Sequence, residues 1–526
     1  MSSTTSTRYN FLIIFFVALG SFTYGFNSAI SGSVLGLSSF LNYFNLTNSG
    51  PGVSKSNQII GANNALFAGG GIIGCMTVPW FLDRCGRRLA LQITCLICVV
   101  SAVVQAASVH TGMLLVGRLI NGIGVGMIDV AVPIYQSEIS PAKVRGRMVG
   151  SHGFLVVVGY AMAGWVGYGC FFITEAALQW RLCLAFQIIA PLLLLAGSPW
   201  MPESPRWLCK VDRAPEAKSI LKKLHPSADT HTEGHSFAEN ELHQIRRQLE
   251  IERQENASAG WKEAFSRTSY RKRLLYGFFV QCIAQSTGVL VVNNYQILLY
   301  NGLGLHGSIG LMLYACYNSL AAFMNWVNSL ILDRFGRIRI MVIGLIGCSL
   351  SLCGFTAMVA EFVGTNNKVG NGFGVFFLYL FVFFYGGSMD ASSYVYCAEI
   401  FPTSIRAQGV GFSVAGLFIM TLIYTQTAPT AFENVGWKYY LVFIILPWIG
   451  AFVMQKFFPE TAGLSLEDIA VLFGDEAATN ENNSTDEKMA KGSILQDGDD
   501  KSNEASKGQT VKPEHAELVY EATFRL

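Results

Sequence analysis

The chain has 526 residues, of which 51% are hydrophobic and only 14% charged, with a formal net charge of +2. An ordinary soluble protein carries about 25% charged residues, so a series of soluble domains is excluded, and the balanced charge gives no footprint for nucleic acid. The twelve cysteines are scattered, mostly inside apolar runs, which argues against a disulfide framework.

Apolar runs of spanning length recur along the chain, and roughly 20 apolar residues cross a hydrocarbon core of about 30 Å. Six spans are predicted near 11–31, 59–82, 89–109, 113–136, 148–169 and 180–200. Six more follow near 274–299, 308–332, 339–361, 373–397, 408–429 and 437–458. The first ten residues are polar, and the run after them lacks a small-residue cleavage site, so span one is expected to target and anchor the chain. Cys95 and Cys98 form a CxxC inside span three, with no strand–helix context, and read as packing residues. The fold class expected is an all-α polytopic membrane protein with twelve transmembrane helices in two pseudo-symmetric six-helix bundles. Its parts are a first bundle over 1–200, a linker with short helices over 201–272, a second bundle over 273–473 and a disordered tail over 474–526.

Charge sets the expected orientation. Arg84, Arg87 and Arg88 follow span two; Lys143, Arg145 and Arg147 follow span four; Arg334, Arg337 and Arg339 follow span eight; Arg406 follows span ten. The alternate loops hold isolated basics such as Lys55, Lys368 and Lys438. By the positive-inside rule, both termini and the linker are cytoplasmic in a plasma-membrane protein. The sequon Asn45-Leu46-Thr47 then lies outside and is a candidate for glycosylation, whereas those at Asn256, Asn482 and Asn483 are not. Within the linker, Pro215 with Ala217, Ile220, Leu221 and Leu224 predicts one amphipathic helix, and Leu242, Ile245 and Leu249 a second.

Two copies of one pattern organise the chain. Asp129, Tyr135, Glu138, Ile139, Pro141, Val144 and Arg145 return as Asp390, Tyr396, Glu399, Ile400, Pro402, Ile405 and Arg406 at a constant offset of 261 residues. Asp83-Arg84-Cys85-Gly86-Arg87-Arg88 is echoed by Asp333-Arg334-Phe335-Gly336-Arg337, and Pro202-Glu203-Ser204-Pro205-Arg206 by Pro459-Glu460-Thr461. Such duplication marks a chain made of two copies of one membrane-embedded half. Carboxylate–guanidinium pairs at these helix ends can latch one bundle to the other. The gating set is Asp83, Arg84, Arg87, Glu138, Arg145, Glu203, Arg206, Asp333, Arg334, Arg337, Glu399, Arg406 and Glu460.

These motifs, with Gly117-Arg118, Gly146-Arg147, Trp207-Leu208 and Pro459–Leu464, resemble those of the sugar porter family of the major facilitator superfamily. That group holds animal glucose facilitators and fungal hexose transporters. The resemblance implies two bundles rocking around a midplane site, with ion pairs closing the inner gate and the linker helices holding it.

Several positions depart from the family's sugar pocket. The His-Gln pair of span five reads His152-Gly153. The Gln-Gln-x-[ST]-Gly-x-Asn run of span seven reads Ala284-Gln285-Ser286-Thr287-Gly288-Val289-Leu290. On span ten, Tyr394 replaces a Trp and Gly386-Gly387-Ser388-Met389-Asp390 replaces a Pro-rich stretch. On span eleven, Leu417-Phe418 replaces Asn-Trp. Asp129 lies nine residues, or about 13–14 Å, before Glu138, near the midplane, and Asp390 lies at the same depth in the other half. Arg118 is eleven residues from Asp129, close to three turns, so both are expected on one side of span four; the resemblance implies that Arg118 faces the central cavity, and Asp129 is expected to face it too. A midplane charge costs at least about 2.5–3.5 kcal/mol and usually marks a substrate or proton path.

The substrate-binding set is Asn27, Arg118, Asp129, His152, Gln285, Asn293, Asn294, Tyr295, Asn318, Asp390 and Tyr394, with Asn325 seven residues from Asn318 on the same helix face. Proton-coupled members of the family resemble one another in a span-one Asp, and Asn27 stands there in this chain. That favours facilitation, while Asp129, Asp390 or His152 offer other proton sites. The expected function is transport of a monosaccharide, or of a sugar-like hydroxylated or acidic metabolite, by alternating access. A proton-coupled exporter of a secondary metabolite and a non-transporting nutrient sensor are the alternatives. The partners expected are a small-molecule substrate, protons and the lipid bilayer, with no nucleic acid. No hydrolytic, metal or nucleotide constellation appears, so neither enzyme activity, a cofactor nor a metal is expected.

Overall fold

The computed structural model describes residues 8–47, 52–139, 145–224, 237–254, 261–305, 307–363, 365, 367–402, 404–462, 464, 469 and 471–474. Side chains over 145–150 and at Asp333 fall outside that description, as do the sequons at Asn256, Asn482 and Asn483 and the tail. Every described element is helical, and Met1–Asp475 forms one compact unit.

Among the described residues, nine helical segments are long and apolar enough to cross a membrane. The last of these, Arg406–Phe457, holds both Arg406–Val435 (span eleven) and Tyr440–Phe457 (span twelve). The 28-residue helices Arg8–Leu35 (span one) and Ser308–Phe335 (span eight) complete twelve rods. Spans two to five are single helices, Val53–Cys85, Arg87–Ala106, Thr111–Ile139 and Arg145–Phe171.

Three spans are less regular than their apolar runs suggest. Span six passes through a 3₁₀ turn, Phe186–Ile188, between Ala176–Ala185 and Ile189–Gly197. Span seven breaks over 286–288 into Thr268–Gln285 and Val289–Gly302. Span ten starts as Lys368–Phe384, widens into a π-turn at Tyr385–Met389 and resumes at Asp390–Ile400. Broken and bulged membrane helices free backbone groups only where protein or a cavity can satisfy them. The bulge residues Tyr385 and Gly386, and Gln285 and Val289 on either side of the break, line the space between the halves.

Within the first half, spans two and four approach closely: a Cβ on Gly126 would lie 2.3 Å from the Gly71 carbonyl oxygen. Small residues let membrane helices pack backbone to backbone. Across the halves, span two packs along span eleven and span five along span eight.

The linker is helical at Pro205–Lys210, Ala214–Leu224, Phe237–Gln254 and Trp261–Ser266. Trp207, Leu208, Cys209, Ala217, Leu221, Ala238 and Leu242 bury together in a core of their own. Lys210 Nζ reaches Asp83 Oδ1 at 3.0 Å and Trp207 Nε1 donates to the Asp83 carbonyl, which ties this small core to the end of span two.

Candidate functional site

At the end of the molecule where the arginines cluster, called here the basic end, each half builds the same carboxylate-capped turn. In the first half, Arg87 donates from Nε and Nη2 to both oxygens of Glu138, each at 2.7 Å. Glu203 accepts from the Arg87 and Arg88 backbone amides. In the second half, Arg337 grips Glu399 at 3.2 and 2.9 Å, and Glu460 accepts from the amides of Arg337 and Ile338. A carboxylate on a helix N-terminus satisfies amides that have no partner inside the helix. Gly86 and Gly336 begin these helices at φ +87° and +89°, where a Cβ would also meet the Glu203 and Glu460 carboxylates at 2.8 and 2.6 Å.

The expected latch between bundles is corrected in part. Arg87–Glu138 and Arg337–Glu399 each join helices of the same half, so they brace each bundle internally. A hydrogen bond that does cross between halves at this end runs from Gln408 Nε2 to Asp83 Oδ2 at 3.4 Å. Arg84 is exposed and stacks on Trp80, and Arg334 is exposed; no hydrogen bond joins either to these networks among the described residues. Arg206 lies near Glu138, and Arg406 donates to the Phe401 carbonyl. The Arg145 and Asp333 side chains lie outside the described residues.

Between the halves is a cavity of about 60 Å³. Its lining includes five of the expected residues: Gln285 and Asn293 from span seven, Asn318 from span eight, and Asp390 and Tyr394 from span ten. The sequence reading passed over Gln281, Tyr24, Tyr160, Tyr317, Tyr385 and Ser393, which also line it. Gln281 had a readable signal, since it lies one turn before Gln285 on the same helix face. The tyrosines had none.

Asn293 and Asn318 bond to one another at 2.9 Å, with Tyr314 Oη donating to Asn293, so their polarity is largely spent. The Gln281 and Gln285 side-chain oxygens and the Tyr317 hydroxyl are buried without partners. A buried polar atom left so costs about 1–3 kcal/mol. Asp390 accepts from Asn325 Nδ2 at 2.5 Å. The described lining holds this one acid and no base.

The remaining expected residues sit behind the wall or beyond it. Arg118 does not face this cavity. Its Nη1 donates to the Asn27 carbonyl at 3.2 Å and its guanidinium lies 4.4 Å from the Phe67 ring centroid, beside a separate space lined by Asn63, Gln105 and Leu114. Three turns keep the face but move the residue about 16 Å along the helix, which carries it out of the cavity's level. Asn27 is held by Asn121 at 2.9 Å. Asp129 and His152 are wholly buried and bonded to each other at 3.1 Å. Tyr295 takes a bond from Asn64 and gives one to the Thr425 carbonyl, closing the halves at the end away from the arginines. Asn294 donates to the Leu290 carbonyl of its own helix. At the same end Asn45 is exposed in a turn at φ +52°, accessible for modification.

The chain matches the family described as "Sugar (and other) transporter" over residues 13–473. It is 32% identical over 460 residues to the MFS-type transporter criB of Aspergillus cristatus, covering 87% of this chain and 92% of that one. It is 30% identical over 488 residues to a high-affinity glucose transporter of Kluyveromyces lactis, covering 89% and 86%. Its fold is similar to that of the proton:xylose symporter XylE bound to 6-bromo-6-deoxy-D-glucose. That comparison has a TM-score of 0.75 at 24% identity and covers 88% of this chain and 99% of that one.

Proposed function

Because this multi-pass membrane protein belongs to the sugar (and other) transporter family of the major facilitator superfamily, we propose that it carries a small, uncharged, polyhydroxylated solute through the central cavity by alternating access. The observation that carries this reading is the set of unpartnered Gln281, Gln285 and Tyr317 atoms on the cavity wall. Two amide oxygens and the Asp390 carboxylate are acceptors, and they call for a cargo rich in O–H donors. The acidic-metabolite alternative finds no cation on the described lining to receive it. A monosaccharide fits, as the glucose transporter of Kluyveromyces lactis suggests.

A second reading is a hydroxylated secondary metabolite with an apolar or aromatic face. Tyr24, Tyr160, Tyr317, Tyr385 and Tyr394 on the wall, together with Val156, Val289 and Leu417, favour it. The similarity to criB is in keeping with it. Both readings place the protein in the plasma membrane, with the basic end and both termini cytoplasmic, in keeping with the arginine distribution.

The test is uptake and efflux of a labelled panel of monosaccharides, polyols and hydroxylated aromatics in cells lacking hexose transporters. The expected result is saturable movement of at least one member, in competition with other polyhydroxylated solutes. Movement of none above an empty-vector control sinks the reading. Orientation is checked by glycosidase treatment: Asn45→Gln should abolish any mobility shift, and a shift surviving that substitution contradicts the assignment.

A further inference from the structure

Arg118 carries a charge that the protein around it does not balance. It is 2% exposed and lies seven residues into the helix that starts at Thr111, about 10 Å from the end of span four away from the arginine cluster. Its Nη1 donates to the Asn27 carbonyl at 3.2 Å and the Phe67 ring lies 4.4 Å from the guanidinium. Both partners are neutral. Its Nε is buried with no partner, and no carboxylate pairs with it among the described residues. A buried charge is ordinarily met by a counter-charge as well as by hydrogen bonds.

The separate space beside Arg118 is a second cavity, of about 20 Å³, room for one or two water-sized spheres. Its described lining comes entirely from the first half, and Arg118 is the one charged side chain in it. Most of the wall is apolar: Leu114, one turn before Arg118 on span four, Ile60 on span two, Leu184 on span six and Phe40 on the short helix Ser38–Tyr43. Gly117 lets span three come against span four here, since a Cβ on it would lie 2.7 Å from Gln105 Cγ. Gln105 Nε2 donates to the Ser101 and Gly117 carbonyls at 3.3 and 3.5 Å, which leaves its Oε1 buried without a partner. A second guanidinium stands close by. Arg181 Nη2 donates to the Tyr43 hydroxyl at 3.1 Å and ties together the two helices that supply Leu184 and Phe40.

This lining selects a ligand by charge, size and hydration. Arg118 calls for a negative charge, and the room excludes a sugar, a phosphate or a sulfate. Few donors face the space, so an anion that gives up its water readily fits better than one needing many hydrogen bonds. A guanidinium is itself weakly hydrated and suits such a partner. A water in the remaining room can donate one hydrogen to Gln105 Oε1 and the other to the anion.

We propose that the first half holds a halide ion, of the chloride class, against Arg118 in this cavity, as the counter-ion that lets the guanidinium sit inside the bundle. The ion is a structural ligand of one half. It does not depend on the cargo reading above, because the two cavities share no lining residue.

The test follows thermal unfolding of the full chain in nanodiscs, in chloride and in gluconate, an anion too large for the space, at constant ionic strength. Above half-saturation, each tenfold rise in chloride should raise the wild-type midpoint by about 2 °C, and bromide should act in the same way. Arg118→Met should unfold at one midpoint in both salts. Leu114→Glu places a carboxylate one turn before Arg118, the favourable order for a helical ion pair, and should also abolish the chloride dependence; it decides the matter where Arg118→Met does not fold. Independently, wild-type crystals grown in bromide should show an anomalous peak beside Arg118. Equal wild-type midpoints in the two salts, a dependence that persists in either variant, or no bromide peak in the cavity overturns the proposal and leaves the space to water alone.

Discussion

The networks at the basic end and the acids at the midplane come from the same duplication but have diverged to different extents. Arg87–Glu138–Glu203 and Arg337–Glu399–Glu460 are near copies down to the glycine that starts each capped helix. Asp129 and Asp390 share only their place. Asp129 is sealed behind the wall with a histidine and reaches across to the other half, whereas Asp390 stands on the cavity wall and is held by Asn325 of its own half. Both bundles need the same brace at their charged ends, because each must move as a rigid body.

The largest expected effect tests whether the braces are structural. Glu138→Ala leaves Arg87, whose side chain is 8% exposed, without its carboxylate. Breaking such a pair from one side costs about 3–5 kcal/mol, which thermal unfolding in nanodiscs would register. Glu399→Ala should cost less, because Glu399 is 23% exposed against 12% for Glu138; the reverse order would break the likeness between the halves. Gly336→Ala comes next, at about 1–3 kcal/mol, because it meets a left-handed φ and the Glu460 carboxylate together. Gln285→Leu should leave stability almost unchanged but raise KM about tenfold, the equivalent of one buried hydrogen bond near 1.4 kcal/mol. Arg84→Ala and Arg334→Ala, at exposed helix ends, should each change stability by under about 0.5 kcal/mol; a larger loss would return them to the gate.

Much of this architecture was legible in the residues, and the reasons differ by region. Hydropathy and the constant offset reveal twelve spans in two halves, because a bilayer leaves few ways to satisfy a backbone. The pairing of Arg87 with Glu138 follows from motif and charge. That each pair stays inside one half does not, since sequence spacing gives no partner across space. Helical phase put Arg118 and Asp129 on one side of span four but carries neither depth nor neighbours: Arg118 meets Asn27, Asp129 meets His152, and neither lines the central cavity. The bond from Tyr394 to Asp129 joins residues 265 positions apart. It depends on how two bundles meet, with only Gly153, where a Cβ would lie 3.1 Å from Ala391 Cα, as a local hint. Gln281 was visible in principle, one turn from Gln285.

The most direct test of the cargo site is a cycle between protein and solute. Once a transported polyhydroxylated solute is in hand, its deoxy analogues are assayed with the wild type and with Gln285→Leu. If the Gln285 oxygen accepts a cargo hydroxyl, one analogue loses about tenfold in affinity with the wild type and little with the variant. If every analogue loses the same factor with both proteins, Gln285 does not touch the cargo and the site assigned here is wrong.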